Sequence, residues 1–269
     1  MAKHTPPPGW INPLAPQQPL TSSRWIIGAL AGTLLFAALC VYITFCLLFW
    51  QGQWQLVFQP SRTLTTTPAS VGLQFDNVQF DATETGVLQL SGWWIPAGRP
   101  TANTLLLLHD ASGSLSNTVP RLQALHRLGI NVFAFDYRGF GRSINIHPSE
   151  KSTYEDADAA FRYLTETRHI APASIILDGV GIGAAIAAET ARRQPQAAAL
   201  IREDPAPPIL DSLQLDRRTR LLPIRLLFHD RFDTAQTLAH LKMPTLLLHA
   251  TDPQYLHRLQ TFLSKYFPC

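Results

Sequence analysis

The sequence predicts an α/β fold, a mostly parallel sheet with helices on both faces, preceded by one transmembrane helix. Three observations predict it. Short, wholly apolar runs such as Thr104–His109 (TLLLLH), Asn131–Asp136 (NVFAFD) and Pro244–His249 (PTLLLH) alternate with segments of helical composition. Strands apolar on both faces belong to a parallel sheet covered on both sides. Ser174–Glu189 (SIILDGVGIGAAIAAE) reads as strand, tight Gly-rich turn and Ala-rich helix. Residues 25–50, finally, contain no Asp, Glu, Lys or Arg.

The elements follow in order. Residues 1–24 hold many prolines and few large apolar side chains, too little buried surface to order a segment, and are expected to form a flexible tail. Trp25–Trp50 is long enough as a helix, about 39 Å, to cross a hydrocarbon core of about 30 Å, and a tryptophan stands at each end. A cleavable leader would have a shorter apolar region and a small-residue cleavage site, where here QGQWQLVFQ follows. Lys3 and Arg24 before the run, against Arg62 after it, favour a cytoplasmic amino end and a domain on the opposite side. Residues 51–269 then form one domain. Val71–Phe80 and Val87–Pro96 are rich in strand formers and read as an antiparallel hairpin turning near Thr83–Gly86. Helices are expected over Val119–Leu128, Tyr154–Arg168, Gly183–Arg193 and Tyr255–Tyr266, with further strands at Ser174–Asp178 and Ala197–Ile201.

Composition narrows the function classes. The formal charge of +3 is small, basic and acidic side chains nearly balance beyond the apolar run, and no basic block of the kind that binds nucleic acid is present. Cys40 and Cys46 lie inside the apolar run and Cys269 ends the chain, so no disulfide framework is indicated. His109 and His249 end strands without a second ligand at metal spacing, so neither a metal nor a cofactor is expected.

Strand, turn and helix around G-x-?-x-G have the shape of a nucleophile elbow, in which a Ser fills the middle position. Here that residue is Gly181, which has no side chain to attack with. Gly179, Gly181 and Ala184 also fit the dinucleotide fingerprint, with Glu203 or Asp204 some two dozen residues on, although close helix–strand packing explains such glycines more simply. Ser112, Ser114 and Asp178 are the other groups near the turn, better read as loop and strand-end residues than as nucleophiles. Arg138 and Arg142 could hold an anion, but structural hydrogen bonding is the commoner use. Residues 229–233 (HDRFD) read as a packed, salt-bridged connection.

Two further runs carry a family resemblance. Asp136–Ser143 (DYRGFGRS), followed by an acidic helix start at Tyr154–Asp158, resembles the segment after the fourth strand in α/β-hydrolases of the serine aminopeptidase type. Leu222–Thr234 (LPIRLLFHDRFDT) with Leu238–Asp252 (LAHLKMPTLLLHATD) resembles that family's run into its catalytic acid. The resemblance covers roughly Leu56–Asp252 and implies an α/β-hydrolase fold. It places Gly181 at the nucleophile position, the amides of Ile182 and Ala111 at the oxyanion hole, and Asp252 at the acid. Relatives usually have His-Gly where this chain has His109-Asp110, and a carboxylate there would oppose a developing oxyanion unless it points away. The family's histidine follows a further strand, which this sequence lacks, so the fold is expected to be C-terminally shortened and His257 is the remaining candidate base. A triad needs a hydroxyl, an imidazole and an acid. The expectation is therefore a membrane-anchored hydrolase-like domain impaired as a serine hydrolase and binding a small-molecule, lipid or peptide ligand, or a partner. The alternative is an active esterase, lipase or peptidase with a non-standard nucleophile.

Overall fold

The computed structural model describes residues 9, 22–83, 86–99, 101, 103–207, 209–210 and 221–267. Most of the expected tail over 1–24, the tip of the hairpin turn and Cys269 lie outside the described residues. The chain divides into two compact units, Met1–Leu48 and Phe49–Cys269.

From Ser23 on, the first unit is helical, within α1 (Ser23–Gly52), which is long and apolar enough to cross a membrane and has no buried residue. From Trp25 to Leu48 its residues are exposed, Cys46 alone being half-buried, and a helix hydrophobic all round needs an apolar surrounding.

The second unit is built on seven strands: β1 (Asp76–Asp81), β2 (Leu88–Ile95), β3 (Thr104–Leu108), β4 (Asn131–Asp136), β5 (Ile175–Val180), β6 (Ala199–Glu203) and β7 (Thr245–Leu248). Their spatial order is β1-β2-β4-β3-β5-β6-β7. β2 runs antiparallel to both β1 and β4, and every other pairing is parallel. The alternation within each strand splits the core in two. Leu106, Leu108, Phe133, Phe135, Leu177 and Leu200 face one side, under α3 (Glu150–Arg162) and α4 (Gly183–Arg193). Leu105, Leu107, Val132, Ile176, Ile201 and Leu248 face the other, under α2 (Val119–His126) and α5 (Tyr255–Tyr266). Both faces are covered, which is why β3 reads as an unbroken leucine run.

Two boundaries differ from expectation for local reasons. α3 starts at Glu150 rather than Tyr154, because Ser149 and Ser152 bond each other's backbone amides in a reciprocal cap. β1 starts at Asp76 rather than Val71, because Pro68–Val71 forms a 3-10 turn closed by Gly72 at φ 76°.

Candidate functional site

β5 lies between β3 and β6 and ends at Val180; Gly181 turns the chain at φ 60°, and α4 begins at Gly183 with Ile182 as its cap. An L side chain at that φ costs about 1–2 kcal/mol, so the sharp turn stores strain wherever the residue is not glycine. The turn is held by its own backbone. The Gly181 amide donates to the Glu203 carbonyl at 2.9 Å, and the Gly181 carbonyl accepts from Ala184 and Ala206, each at 3.2 Å. A Cβ on Gly183 would overlap the Leu108 carbonyl oxygen, so helix and sheet meet here more closely than any other residue allows.

Asp110 decides the electrostatics of this turn. It follows β3 by two residues, is half-buried, and its Oδ1 accepts the Ile182 amide at 3.0 Å. A Cβ on Gly181 would overlap the same carboxylate. Asp110 thus points into the elbow: it occupies the Ile182 amide and fills the space in which a residue 181 side chain would stand. His109 beside it is buried. Its Nδ1 donates to the Asp110 carbonyl at 2.6 Å, and its Nε2 lies 3.9 Å from Asp136 Oδ1. Burial pulls the imidazole down to about 4, so it is neutral at physiological pH. Tyr137 hydroxyl donates to the His109 carbonyl at 3.2 Å and closes the rear of the loop.

The remaining predicted residues are placed as follows. Ala111 is buried, and its carbonyl accepts the Gln59 amide at 2.8 Å in a short parallel pairing of Gln59–Pro60 with Ser112–Gly113. Asp252 follows β7 and pairs with Arg258 at 2.6 Å; that hydrogen bond holds its carboxyl below the ordinary range. His257 is exposed on α5. His249 pairs with Asp204 at 3.3 Å, both exposed, and its carbonyl accepts the Asp252 amide at 2.9 Å. Ser114 is buried and caps the turn Leu115–Thr118, and Ser112 is exposed. Arg138 binds Asp156 at 2.6 Å and Glu155 at 2.7 Å, the structural use expected of it. Asp230 is buried and accepts the Glu150 amide at 2.8 Å, and Phe232 packs on Phe58 and Tyr154.

Sequence reasoning missed a buried ionic knot on the opposite face of the same strands. Asp178, expected to be solvated at a strand end, is instead fully buried and accepts from Arg121 of α2 at 2.6 Å. Arg121 also pairs with Glu203 and donates to the Tyr255 hydroxyl, which itself donates to Glu203 at 2.7 Å. Burial, with the nearby Asp178 charge, pushes Glu203 up to about 8, and burial raises Asp178 as well. Two carboxylates share one guanidinium, and the knot joins α2, β5, β6 and α5. Glu203 is engaged here, and a Cβ on Gly179 would overlap the backbone of Gly183 and Ala184, so two members of the dinucleotide pattern in the sequence have a packing role.

This frame, a sharp turn between a central parallel strand and a helix under an antiparallel-edged sheet, is shared with proteins of known family. A model of the serine aminopeptidase S33 hydrolases matches residues 99–211. A Mycobacterium tuberculosis protein of uncharacterized activity is 30% identical over 201 residues, spanning 74% of this chain and 69% of that one. The chain belongs to the α/β-hydrolases of the serine aminopeptidase type. Among its relatives is the bem46 protein of Schizosaccharomyces pombe, 31% identical over 161 residues, covering 58% of this α/β-hydrolase and 52% of bem46. Two solved structures have the same fold. An esterase of Pyrococcus furiosus superposes with a TM-score of 0.60 at 20% identity, over 78% of this chain and 98% of that one. An α/β-hydrolase of Vibrio vulnificus superposes with a TM-score of 0.55 at 26% identity, over 73% and 70%.

Proposed function

We propose that this α/β-hydrolase keeps the frame of its family but not serine hydrolysis, and that the cleft at the carboxyl ends of β3 and β5 serves to bind a ligand or partner. One observation carries the reading: the Asp110 carboxylate accepts the Ile182 amide at 3.0 Å and stands where a nucleophile at position 181 would stand. An oxyanion hole works by preorganised donors aimed at developing negative charge. A carboxylate already bonded to such a donor supplies that charge permanently and repels a second one. In this reading Gly181 and Asp110 are a matched pair, glycine making room for the carboxylate. The amides of Ile182 and Ala111 keep the places of oxyanion donors, Asp252 keeps the acid position in an ion pair with Arg258, and His257 does not serve as base.

The domain is carried on the membrane by α1, with residues 1–24 as a tail, residues 25–50 as a single span and residues 51–269 as the hydrolase-like domain. The basic residues Lys3 and Arg24 before the span favour a cytoplasmic amino end and a domain on the other side.

A fluorophosphonate probe at high protein concentration tests the catalytic half. No labelling is expected. A label mapping to a single hydroxyl overturns the reading in favour of an esterase, lipase or peptidase with an unorthodox nucleophile.

A further inference from the structure

The face of the domain nearest the end of α1 carries apolar side chains that the fold does not bury. Trp50, in the last turn of α1, is 53% exposed, and Leu56, just beyond it, is 51% exposed. Leu221 and Leu226 are exposed further still, at 85% and 78%. Single exposed leucines are common on protein surfaces, so placement has to decide whether these mean anything.

Gln53 supplies the placement. Its Nε2 donates to the Trp50 carbonyl at 2.8 Å and to the Leu227 carbonyl at 3.1 Å, and its Oε1 accepts the His229 amide at 2.8 Å. One buried amide side chain therefore clamps residues 227–229 to the chain leaving α1. Ile224 and Phe228 anchor the same segment in the core, at 5% and 1% exposure, so the turn between them thrusts Leu226 outward. Phe49 and Trp54 also pack against the core. The apolar run thus passes into the domain with no linker: its last residues are already part of the folded unit. Residues 227–229 are thus tied to the residues in which the apolar run ends.

We propose that the surface around Leu226 and Trp50 lies against the bilayer, so that the domain docks on lipid as well as being tethered to it. The proposal rests on reading α1 as a membrane span. A shallow groove of about 300 Å³ lined by Trp50, Trp54, His147 and His229 opens on the same side. Trp54 and His147 are stacked there at 4.4 Å, an amphipathic pair suited to the headgroup level. Arg225 and Arg231 flank the leucines, and Arg231 donates to the Arg225 carbonyl at 2.8 Å. Leucines inserted at the acyl boundary, with cations at headgroup height, form the pattern of an interfacial membrane contact.

The full chain is reconstituted in vesicles of phosphatidylcholine and phosphatidylglycerol, with Cys40, Cys46 and Cys269 replaced by Ser. A nitroxide is placed singly by Leu226→Cys, by Leu35→Cys in mid-span, and by Gln196→Cys before the amino end of β6. Collision rates with oxygen and with a water-soluble nickel chelate are then compared. At 226 the chelate is expected to collide several-fold less often than at 196, with oxygen favoured, and the label at 35 is expected to be deeper than both. If 35 is deep while 226 is as open to the chelate as 196, docking is overturned and the span stands. If 35 itself is open to the chelate, the span falls and docking falls with it.

Discussion

Two carboxylates leave adjacent parallel strands and do the same thing in opposite circumstances. Asp136 ends β4, is almost wholly buried, and accepts the Leu115 amide at 2.9 Å as well as the backbone of Arg142. Asp110 follows β3, is half-buried, and accepts the Ile182 amide at 3.0 Å. Both are backbone acceptors at the carboxyl end of the sheet. Asp136 ties two loops that would otherwise leave buried donors unpaired, so the fold depends on it. Asp110 is itself half-buried and satisfies a single amide at the first turn of a helix, so the fold needs it less. A half-buried carboxylate that the fold needs less, turned into the elbow against Gly181, fits the proposed binding role of the cleft better than a structural one.

Substitutions sharpen that contrast. Asp136→Ala orphans at least one buried amide, and a buried donor left unpaired costs about 1–3 kcal/mol, so a loss of about 2–3 kcal/mol is expected in urea unfolding. A loss under 1 kcal/mol would erase the distinction between the two carboxylates. Titration comes next in size. Burial pushes Asp136 and Asp156 up to about 7 and Glu203 up to about 8. Folded values above unfolded ones mean that the folded protein holds more protons in between. The stability these groups contribute is complete below about pH 4 and is lost as pH rises towards 7 and 8, by at most about 1.4 kcal/mol per pH unit for each group. His109, depressed to about 4, works the other way and lowers stability as pH falls from about 6.5. Glu203→Gln should therefore flatten the decline between pH 5 and 8; an unchanged slope would show that the knot does not take up a proton on folding.

Smaller effects test the elbow itself. Gly181→Ser is expected to cost about 1–2 kcal/mol from its left-handed backbone, with crowding against Asp110 added, and to hydrolyse no simple ester. Adding Asp110→Gly should recover the crowding part of that loss. Turnover by the single variant would mean that the carboxylate does not block the site. Smallest of all, Asp110→Ala alone should change the unfolding free energy by about 1 kcal/mol, the net worth of the one hydrogen bond that half-exposed Asp110 makes to the Ile182 amide. A loss as large as that of Asp136→Ala would make Asp110 a structural residue.

The legible and illegible parts of this molecule divide by sequence separation. The apolar span, the leucine run of β3, α4 at Gly183–Arg193 and α5 at Tyr255–Tyr266 could be read directly, because their pattern is set by neighbours a few residues away. The start of α3 was missed by four residues even though its cap is local: Ser149 and Ser152 are both polar and carry no apolar periodicity. Asp110 could be flagged as out of place, but its direction could not be read. Its partner amide is 72 positions along the chain, and only the packing of β3 beside β5 brings them together. The knot of Arg121, Asp178, Glu203 and Tyr255 was invisible for the same reason, since each member comes from a different element and looks like an ordinary surface charge or strand-end residue by itself.

By itself the sequence determined which segments are strands and helices, which run is apolar enough for a membrane, and that the elbow carries glycine at its centre, since each follows from local periodicity and residue type. Only the tertiary structure decided that Asp110 turns into the elbow rather than out to solvent, that Asp178 is paired rather than hydrated, and that Gln53 clamps residues 227–229 to the end of α1. Those outcomes depend on which distant groups compete for the same donor or the same buried space, and that competition exists only once the strands are side by side.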